Sequence, residues 1–393
     1  MKVAYVVPRY GRQVVGGAEM GARMLGEHLV ADLGWEVDVF TTCATDHRTW
    51  RDELPPGTTV EAGVRVHRFH SESGRDPDFD QRSSSLLSRP TKVDRLEAQE
   101  WLRWQGPVCP DAVEAALASE AERICAYPYL YLPIVDVVRR GAERTVLHPA
   151  AHDEAPLYLP CFDDVFASAG ALFLHTLSEQ MLVHRRFPST VGLRQQVLGL
   201  GVDEPLDADP GAARSAVGLG DEPFLLCLGR VDPMKGTDLL VRYFDAYKQR
   251  RPGPLRLVVA GPVAQSPPRH PDVVLTGPVD ERTKWGLLRG ATALVSPSPN
   301  ESFSLVILEA WLAGVPVVVN GACGPTVEHC RLSGGGAWFE GYLSFEVLLE
   351  RLLAEPALAA ALARRGRRYV EGRFRWPVLI RRYAELLSGP SPG

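Results

Sequence analysis

Two carboxylates, Glu301 and Glu309, stand eight positions apart in the stretch Pro299-Asn300-Glu301-Ser302-Phe303-Ser304-Leu305-Val306-Ile307-Leu308-Glu309. The first lies in a proline-rich loop, Ser296-Pro297-Ser298-Pro299, and the second lies inside an apolar run that reads as a helix. Between them Ser302-Phe303-Ser304 brings backbone N–H groups to a helix start, where unpaired donors and a partial positive charge suit an anion. Earlier in the chain Arg230 and Lys235 flank a turn in Gly229-Arg230-Val231-Asp232-Pro233-Met234-Lys235-Gly236, directly after the apolar run 224–228. Two cations at the carboxyl end of a strand are what a diphosphate needs; solvated loop charges of the same types are the alternative. Lysine supplies only five of the 43 basic residues, yet one stands at 235. Amides, cations and two flanking carboxylates together suggest a ligand that is part phosphate and part polyol.

The elements that must position these groups alternate as strand and helix. Residues 3–7 are an apolar, β-branched run, the mark of a strand buried on both faces. The loop 8–17 ends in Gly16-Gly17-Ala18-Glu19. Met20, Met24, Leu25, Leu29 and Leu33 then line one side of a helix that Gly34 stops, and 35–42 read as a second strand. Gly16-Gly17 permits close approach of a phosphate or sugar to the helix N-terminus, or simply a tight turn. Residues 64–69 alternate as a strand, 71–90 read as a polar surface loop, and 91–105 and 111–124 read as helices. The strand 145–149 runs into Ala150-Ala151-His152-Asp153-Glu154. His152 therefore sits just past a carboxyl strand end, where open α/β sheets take ligands; a loop histidine capping the next helix is the alternative. The strand 171–174, the helix start at Ser178-Glu179 and the segment 195–202 complete this half. Residues 201–210 are acidic and turn-rich, and read as a linker. A second series follows, with strands at 224–228, 255–260, 273–276, 293–295 and 315–319. Thr237 reads as the cap of a helix reaching about Arg250, Gly314 closes the helix of Glu309, and residues 343–372 and 376–387 are helical. The pattern predicts an α/β chain with doubly wound parallel sheets.

Composition narrows the function classes. At 393 residues the chain exceeds one ordinary domain, and 45% apolar content suffices for full-sized cores. A net charge of −5 provides no field that would recruit nucleic acid or an acidic membrane. Seven scattered cysteines, with no C-x-x-C pair and no zinc spacing, point to reduced, buried thiols and a cytosolic setting. The apolar opening, cut short at Pro8-Arg9, reads as a strand rather than a secretory segment, and no run approaches the roughly 18 apolar residues of a membrane span. The arginine bias with 36 Gly and 32 Pro fits a GC-rich bacterial genome. Arg364, Arg365, Arg367 and Arg368 read as a solvated helix face, with a patch for an anionic surface as the alternative.

Gly229-Arg230…Lys235-Gly236 followed by Glu301-Ser302-Phe303-Ser304…Glu309 resembles the second-domain pattern of the retaining GT-B glycosyltransferases of family 4, G-R-x4-K-G and then E-x-F-G-x4-E. The Gly16-Gly17-Ala18-Glu19 loop, His152-Asp153, Ser178-Glu179, Gly201-Val202-Asp203 and Trp376 fall in the same order, so the resemblance covers nearly the whole chain. It implies two Rossmann-like domains facing across a cleft. Residues 1–203 form the acceptor side, 204–372 bind a nucleotide sugar, and 373–393 carry a helix crossing back to the first domain. The implied reaction moves a hexose-type sugar from a UDP- or GDP-sugar to a hydroxyl of a lipid-linked or surface glycan, with a small natural product as the alternative acceptor. Configuration is retained, and no protein nucleophile, cofactor or metal is required.

By the same resemblance Arg230 and Lys235 bind the diphosphate and stabilise it as leaving group. Glu301 holds the donor sugar near its 3-hydroxyl, and the amides of Phe303, Ser304 and Leu305 reach sugar and phosphates. Glu309 takes the ribose hydroxyls. Gly17 lies against the donor, His152 contacts the sugar at its 6-hydroxyl, and Val279 with Pro278 lies near the nucleobase. Ser304 departs from the family's glycine: a positive φ there would strain serine, whereas its hydroxyl could bond the sugar. The pairs Asp76/Asp78, Asp78/Asp80 and Asp207/Asp209 fall in the polar loop and the linker, not at strand ends, and do not read as a metal site. The implied partners are the donor and the acceptor, with no nucleic acid; the expected place is the cytoplasm, with peripheral association at the inner membrane face. A catalytically silent sugar-nucleotide binder is the competing class, and the retained Arg230, Lys235, Glu301 and Glu309 speak against it. An NAD(P) oxidoreductase lacks its G-x-G-x-x-G after the first strand, and a nonhydrolysing epimerase would not carry the two glutamates in this register.

Overall fold

The computed structural model describes residues 1–14 and 16–389. The chain divides into two compact units, one of residues 1–201 with the segment from 376 onward, the other of residues 202–375. In the first unit the order is β1 (Lys2–Val6), α1 (Gly17–Leu33), β2 (Glu36–Thr42), β3 (Gly57–Glu61), β4 (Val64–Phe69), α2 (Phe79–Leu87), α3 (Arg95–Gln105), α4 (Pro110–Ala118), β5 (Arg123–Ala126), α5 (Leu132–Gly141), β6 (Thr145–Leu147), α6 (Asp163–Ser168), β7 (Ala171–Leu174), α7 (Leu177–Arg186) and β8 (Arg194–Val197). The second unit holds α8 (Pro210–Ala216), β9 (Phe224–Leu228), α9 (Thr237–Arg250), β10 (Arg256–Ala260), β11 (Val273–Gly277), α10 (Glu281–Gly290), β12 (Ala293–Ser296), α11 (Leu305–Leu312), β13 (Val317–Asn320), α12 (Gly324–Ser333), β14 (Gly336–Phe339), α13 (Tyr342–Ala354) and α14 (Pro356–Arg373). The last helix, α15 (Trp376–Ser388), belongs to the first unit.

Each unit is built on one sheet, in the order β3-β4-β2-β1-β5-β6-β7-β8 and β11-β10-β9-β12-β13-β14. Every pairing is parallel except the β3–β4 hairpin at the edge of the first sheet. The predicted parallel α/β architecture is therefore observed, as two Rossmann-like units. Strand order turns back at β1 in one sheet and at β9 in the other, and such switch points open a crevice at the carboxyl strand ends. The central strands are apolar on both faces, as burial under helices on either side requires: Val3, Ala4 and Tyr5 are fully buried, as are Phe224, Leu225 and Leu226.

Several local expectations fail for identifiable reasons. The helix expected at 111–124 ends at Ala118, and Arg123–Ala126 is β5, paired with β1. Its four residues are too few to show a period against the alanine-rich helix before them. The polar stretch 71–90 contains α2, anchored by buried Phe79. The helical span 343–372 is two helices, the second starting at Pro356, whose ring fits only a helix's first turn. In α1 the buried face is Ala22, Leu25, Gly26 and Leu29, while Met20 is 36% exposed. Small residues at 22 and 26 let the helix lie close to the sheet. Thr237 does not cap α9. Gly236 occupies the cap position without a side-chain bond, and the Thr237 hydroxyl donates instead to the Asp232 carbonyl at 3.0 Å.

All seven cysteines are unpaired and buried. No helix among the described residues is long and apolar enough to cross a membrane. Helix α15 is held by a buried polar junction. The Tyr383 hydroxyl lies 2.7 Å from the Tyr5 hydroxyl, 3.0 Å from His148 Nε2 and 3.2 Å from Cys125 Sγ. Burial drives the His148 pKa well below its ordinary value, so its imidazole is neutral and accepts or donates at no charge cost. Tyr383→Phe removes the group these partners share and is expected to lower stability by about 1–3 kcal/mol. Urea denaturation measures this, and an unchanged midpoint would show that the junction contributes nothing.

Candidate functional site

In the second unit β9 and β12 are neighbours, and their carboxyl ends release the two loops singled out by sequence. In the first loop Asp232 Oδ1 accepts the Met234 N–H at 2.8 Å, closing a single helical turn over Pro233–Lys235. Gly236 follows with φ +72°, and a Cβ there would collide with the Pro297 carbonyl of the neighbouring loop. That carbonyl is itself fixed by Asn320 Nδ2 at 2.8 Å. The close approach carries Lys235 across to the second loop, where Nζ lies 2.7 Å from Glu301 Oε1 and 3.4 Å from the Asn300 carbonyl. Arg230, 41% exposed, has Nε 3.3 Å from Asp232 Oδ2.

Helix α11 begins immediately after. Ser304 has φ +73° and ψ +74°, the left-handed conformation that glycine adopts without cost, and its side chain makes no cap bond. The amides of Ser304, Leu305 and Val306 donate to no acceptor among the described residues, so the helix presents bare N–H groups. Phe303 turns inward, its ring 4.9 Å from His329 and 5.3 Å from Phe374, which anchors the turn from below. The Cys227 thiol, pushed up to about 12 by burial and then by the nearby Glu301 charge, stays protonated.

Glu309 points to a residue that sequence reasoning overlooked. Its Oε1 lies 2.8 Å from Lys284 Nζ, which also pairs with Glu281 at 2.8 Å. Burial raises the Glu309 carboxyl pKa above its ordinary value against the pull of Lys284. The available signal was rarity, since Lys284 is another of the five lysines. Val279 and Pro278 lie in the connection between β11 and α10, beside Asp280, which caps α10 through the Thr283 N–H at 2.7 Å.

Gly17 and His152 belong to the first unit. Gly17 opens α1 with no atom near the place a Cβ would occupy, whereas a Cβ on Gly16 would strike the Glu19 carboxylate. Gly16 thus makes room for the buried Arg9–Glu19 ion pair, and Gly17 adjoins open space. His152 follows Ala150, at φ +50°. The buried Glu179 carboxylate accepts the Ala151 N–H at 2.7 Å and the His175 N–H at 2.6 Å, so the Ser178-Glu179 helix start fixes the His152 loop. His152 Nδ1 lies 3.7 Å from Glu154 Oε1.

The Asp-x-Asp pairs are spent on local structure: Asp76 accepts the Asp78 N–H at 2.8 Å, Asp207 pairs with Arg289 at 3.1 Å, and Asp209 caps α8. Among the described residues the one group with cation-ligand spacing is Cys43, Asp52 and His70, whose ligand atoms lie within 4.8 Å of one another at the end of β2. Asp52 and His70 already pair at 2.6 Å.

Two outcomes follow from this geometry. Lys284→Met leaves Glu309 buried without a counter-charge and is expected to cost about 3 kcal/mol at neutral pH. A carboxyl with a raised folded pKa penalises folding above its unfolded pKa, so the deficit should shrink as pH falls toward the acid range. Denaturation of both proteins across pH tests this, and a pH-independent deficit would contradict it. Ser304→Gly should raise stability by about 1 kcal/mol, because the left-handed conformation costs serine and not glycine. A destabilised Ser304→Gly protein would mean that the hydroxyl makes a compensating bond.

Residues 222–341, the span holding the Arg230–Lys235 and Glu301–Glu309 segments, match the family model described as glycosyl transferases group 1. The chain is similar to the D-inositol 3-phosphate glycosyltransferase of Frankia alni, with 27% identity covering 88% of each chain. It is also similar to the GDP-mannose-dependent alpha-(1-6)-phosphatidylinositol monomannoside mannosyltransferase of Mycolicibacterium smegmatis, with 30% identity over 64% of this chain and 72% of that one. Among solved structures, sucrose-phosphate synthase from Thermosynechococcus elongatus superposes with a TM-score of 0.73 at 19% identity, covering 98% of both chains. WaaG, a glycosyltransferase of lipopolysaccharide biosynthesis, superposes with a TM-score of 0.67 at 16% identity over 99% of this chain and 100% of that one. At such identities these structures establish the fold, which is GT-B. With the group 1 motifs on adjacent strand ends of the second unit and a full-length relationship to such enzymes, the chain belongs to the group 1 glycosyltransferases of the family 4 type, and it is a glycosyltransferase.

Proposed function

We propose that the protein transfers a hexose-type sugar from a UDP- or GDP-sugar to a hydroxyl of a polyol or lipid-linked acceptor, with retention of configuration and without a metal. The observation that carries this reading is the convergence of Lys235 and Glu301, 2.7 Å apart, beside the bare amides at the start of α11. In this reading the diphosphate takes over the cations. Lys235 leaves Glu301 for the leaving group, Arg230 leaves Asp232, and the freed Glu301 accepts hydrogen bonds from the donor sugar. Catalysis then comes from positioning and from charge stabilisation on the departing diphosphate, worth about 2.7–4 kcal/mol for a single well-placed donor. Glu309, held by Lys284, faces the ribose hydroxyls, and Val279 meets the base. The acceptor class is supported by relatives named for inositol phosphate and for a phosphatidylinositol mannoside. HepE from Anabaena, similar in fold, was solved with UDP and glucose. An acceptor of the lipid type would bring the protein to the inner membrane face as a peripheral enzyme.

Thermal-shift measurements with UDP- and GDP-sugars test the donor, since a ligand bound only by the folded state raises the melting temperature by mass action. Transfer assayed in EDTA should persist in the natural protein and fall by about 10²–10³ in Lys235→Ala, with the melting temperature of that variant unchanged. No shift with any nucleotide sugar, or full turnover in Lys235→Ala, would overturn the reading.

A further inference from the structure

Five loops leave the carboxyl ends of parallel strands in the first unit, after β1, β2, β4, β5 and β6, and they bring Arg9, Trp50, Arg75, Tyr131 and Glu154 to one edge of the sheet. Trp50 is the scaffold. It is 2% exposed, donates its indole N–H to the Gln105 carbonyl at 2.9 Å, meets the Tyr131 ring edge-on at 5.2 Å, and lies under the Arg9 guanidinium at 5.9 Å. Its own φ is +53°, a strained conformation for a bulky residue and of the kind that clusters at ligand sites. Gly74 is pressed against the Thr49 carbonyl and the Trp50 Cβ, so no side chain fits there, and Arg75 follows directly. The backbone on either side is pinned by Val108 N–H to the Ser73 carbonyl at 3.0 Å and Asp76 N–H to the Trp104 carbonyl at 2.8 Å.

The cations of this edge differ in how their charge is met. Arg9 is paired with buried Glu19 and donates to the Thr45 carbonyl at 2.8 Å. Arg75 lies over the Phe79 ring at 4.4 Å, makes no hydrogen bond among the described residues, and has a buried Nε with no partner. Its nearest acid is Asp80, 4.0 Å away with a side chain 96% exposed. Asp46 is occupied by its own loop, accepting the Arg48 N–H at 3.0 Å and the Thr49 hydroxyl at 3.2 Å. Glu154 accepts the Tyr129 hydroxyl at 3.4 Å. Burial holds the Arg75 pKa below its ordinary value against the opposing pull of Tyr131, Asp80 and Asp46. A guanidinium whose buried Nε–H lacks an acceptor is costly unless an anion completes it. A phosphate, close to a dianion, meets such a guanidinium more strongly than a carboxylate does.

We propose that Arg75 binds the phosphate of the acceptor, so that this edge of the first unit selects a phosphorylated polyol or its lipid-borne form. The inference rests on the polyol-acceptor reading above and adds the charge that is recognised.

The test pairs myo-inositol, glucose and glycerol with their monophosphates in titration calorimetry, using the natural protein, Arg75→Gln, Arg75→Lys and Lys235→Ala. The natural protein and Lys235→Ala should favour the phosphorylated member of at least one pair by about 10–100-fold. Arg75→Gln should erase that preference, Arg75→Lys should keep part of it, and the UDP and GDP affinities of both Arg75 variants should stay within about twofold, the size of a neutral remote substitution. Co-sedimentation with phosphatidylcholine vesicles, with or without phosphatidylinositol, separates the two sources: Arg75-dependent binding only to the second kind identifies a lipid headgroup. If no pair and no vesicle shows a phosphate preference, or if Arg75→Gln retains it, the proposal is overturned. Loss of phosphate preference in Lys235→Ala assigns the anion to the donor loops and overturns it equally. Absence of nucleoside diphosphate binding in the natural protein would instead overturn the donor reading and leave the Arg75 result standing.

Discussion

The approach of Gly236 to the Pro297 carbonyl sets the distance on which the second unit's chemistry depends. Strands β9 and β12 stand side by side where the strand order turns back, so the loops that follow them leave the sheet at one point and compete for the same space. A side chain at 236 would wedge them apart, and a φ of +72° would strain any residue but glycine. With that contact made, a lysine from one loop reaches a glutamate from the other at 2.7 Å. Backbone geometry, not charge attraction, brings the pair together. An exposed ion pair contributes too little to hold two loops in register.

The charges around these second-unit loops are matched within the protein: Lys235 with Glu301, Arg230 with Asp232, and Lys284 with Glu309. Such pairing keeps the side chains placed and lowers the cost of gathering cations in one area. On the proposed function, an anionic ligand would exchange one partner for another instead of neutralising a bare charge. The partly exposed pairs exchange easily because water screens them, whereas the deeper Lys284–Glu309 pair is suited to remain as a fixed support. Arg75 in the first unit breaks this pattern, having aromatic contact and no carboxylate within hydrogen-bond reach.

Apart from Ala62 in the β3–β4 hairpin and Ala142 after α5, strained residues gather at the same strand ends. Ser304 begins α11, Trp50 follows β2, and Ala150 precedes the loop of His152; each has positive φ without being glycine, and each lies beyond a strand's carboxyl end. The surrounding structure holds these conformations, through the buried Phe303 ring under Ser304, the Gln105 carbonyl on Trp50, and the Glu179 carboxylate on the Ala151 amide. A rigid sheet can impose such loops because its parallel strands are buried on both faces and cannot shift.

The sequence by itself determined the parallel α/β class, since apolar strands alternating with helices have no other way to bury both faces, and it marked Arg230, Lys235, Glu301 and Glu309 by type and spacing. Short or mixed elements escaped it. Strand β5 is four residues beside an alanine-rich helix, and α2 has little apolar surface beyond Phe79, so neither carries a readable period. Partners distant in sequence escaped it as well. Lys284 meets Glu309, Glu179 meets the Ala151 amide, and Arg75 stands over Phe79 with no carboxylate within hydrogen-bond reach, facts that depend on which loops the sheet order places side by side. A residue's type states what it can bind, but burial and neighbours decide whether its charge is already met, and those are properties of the folded chain alone.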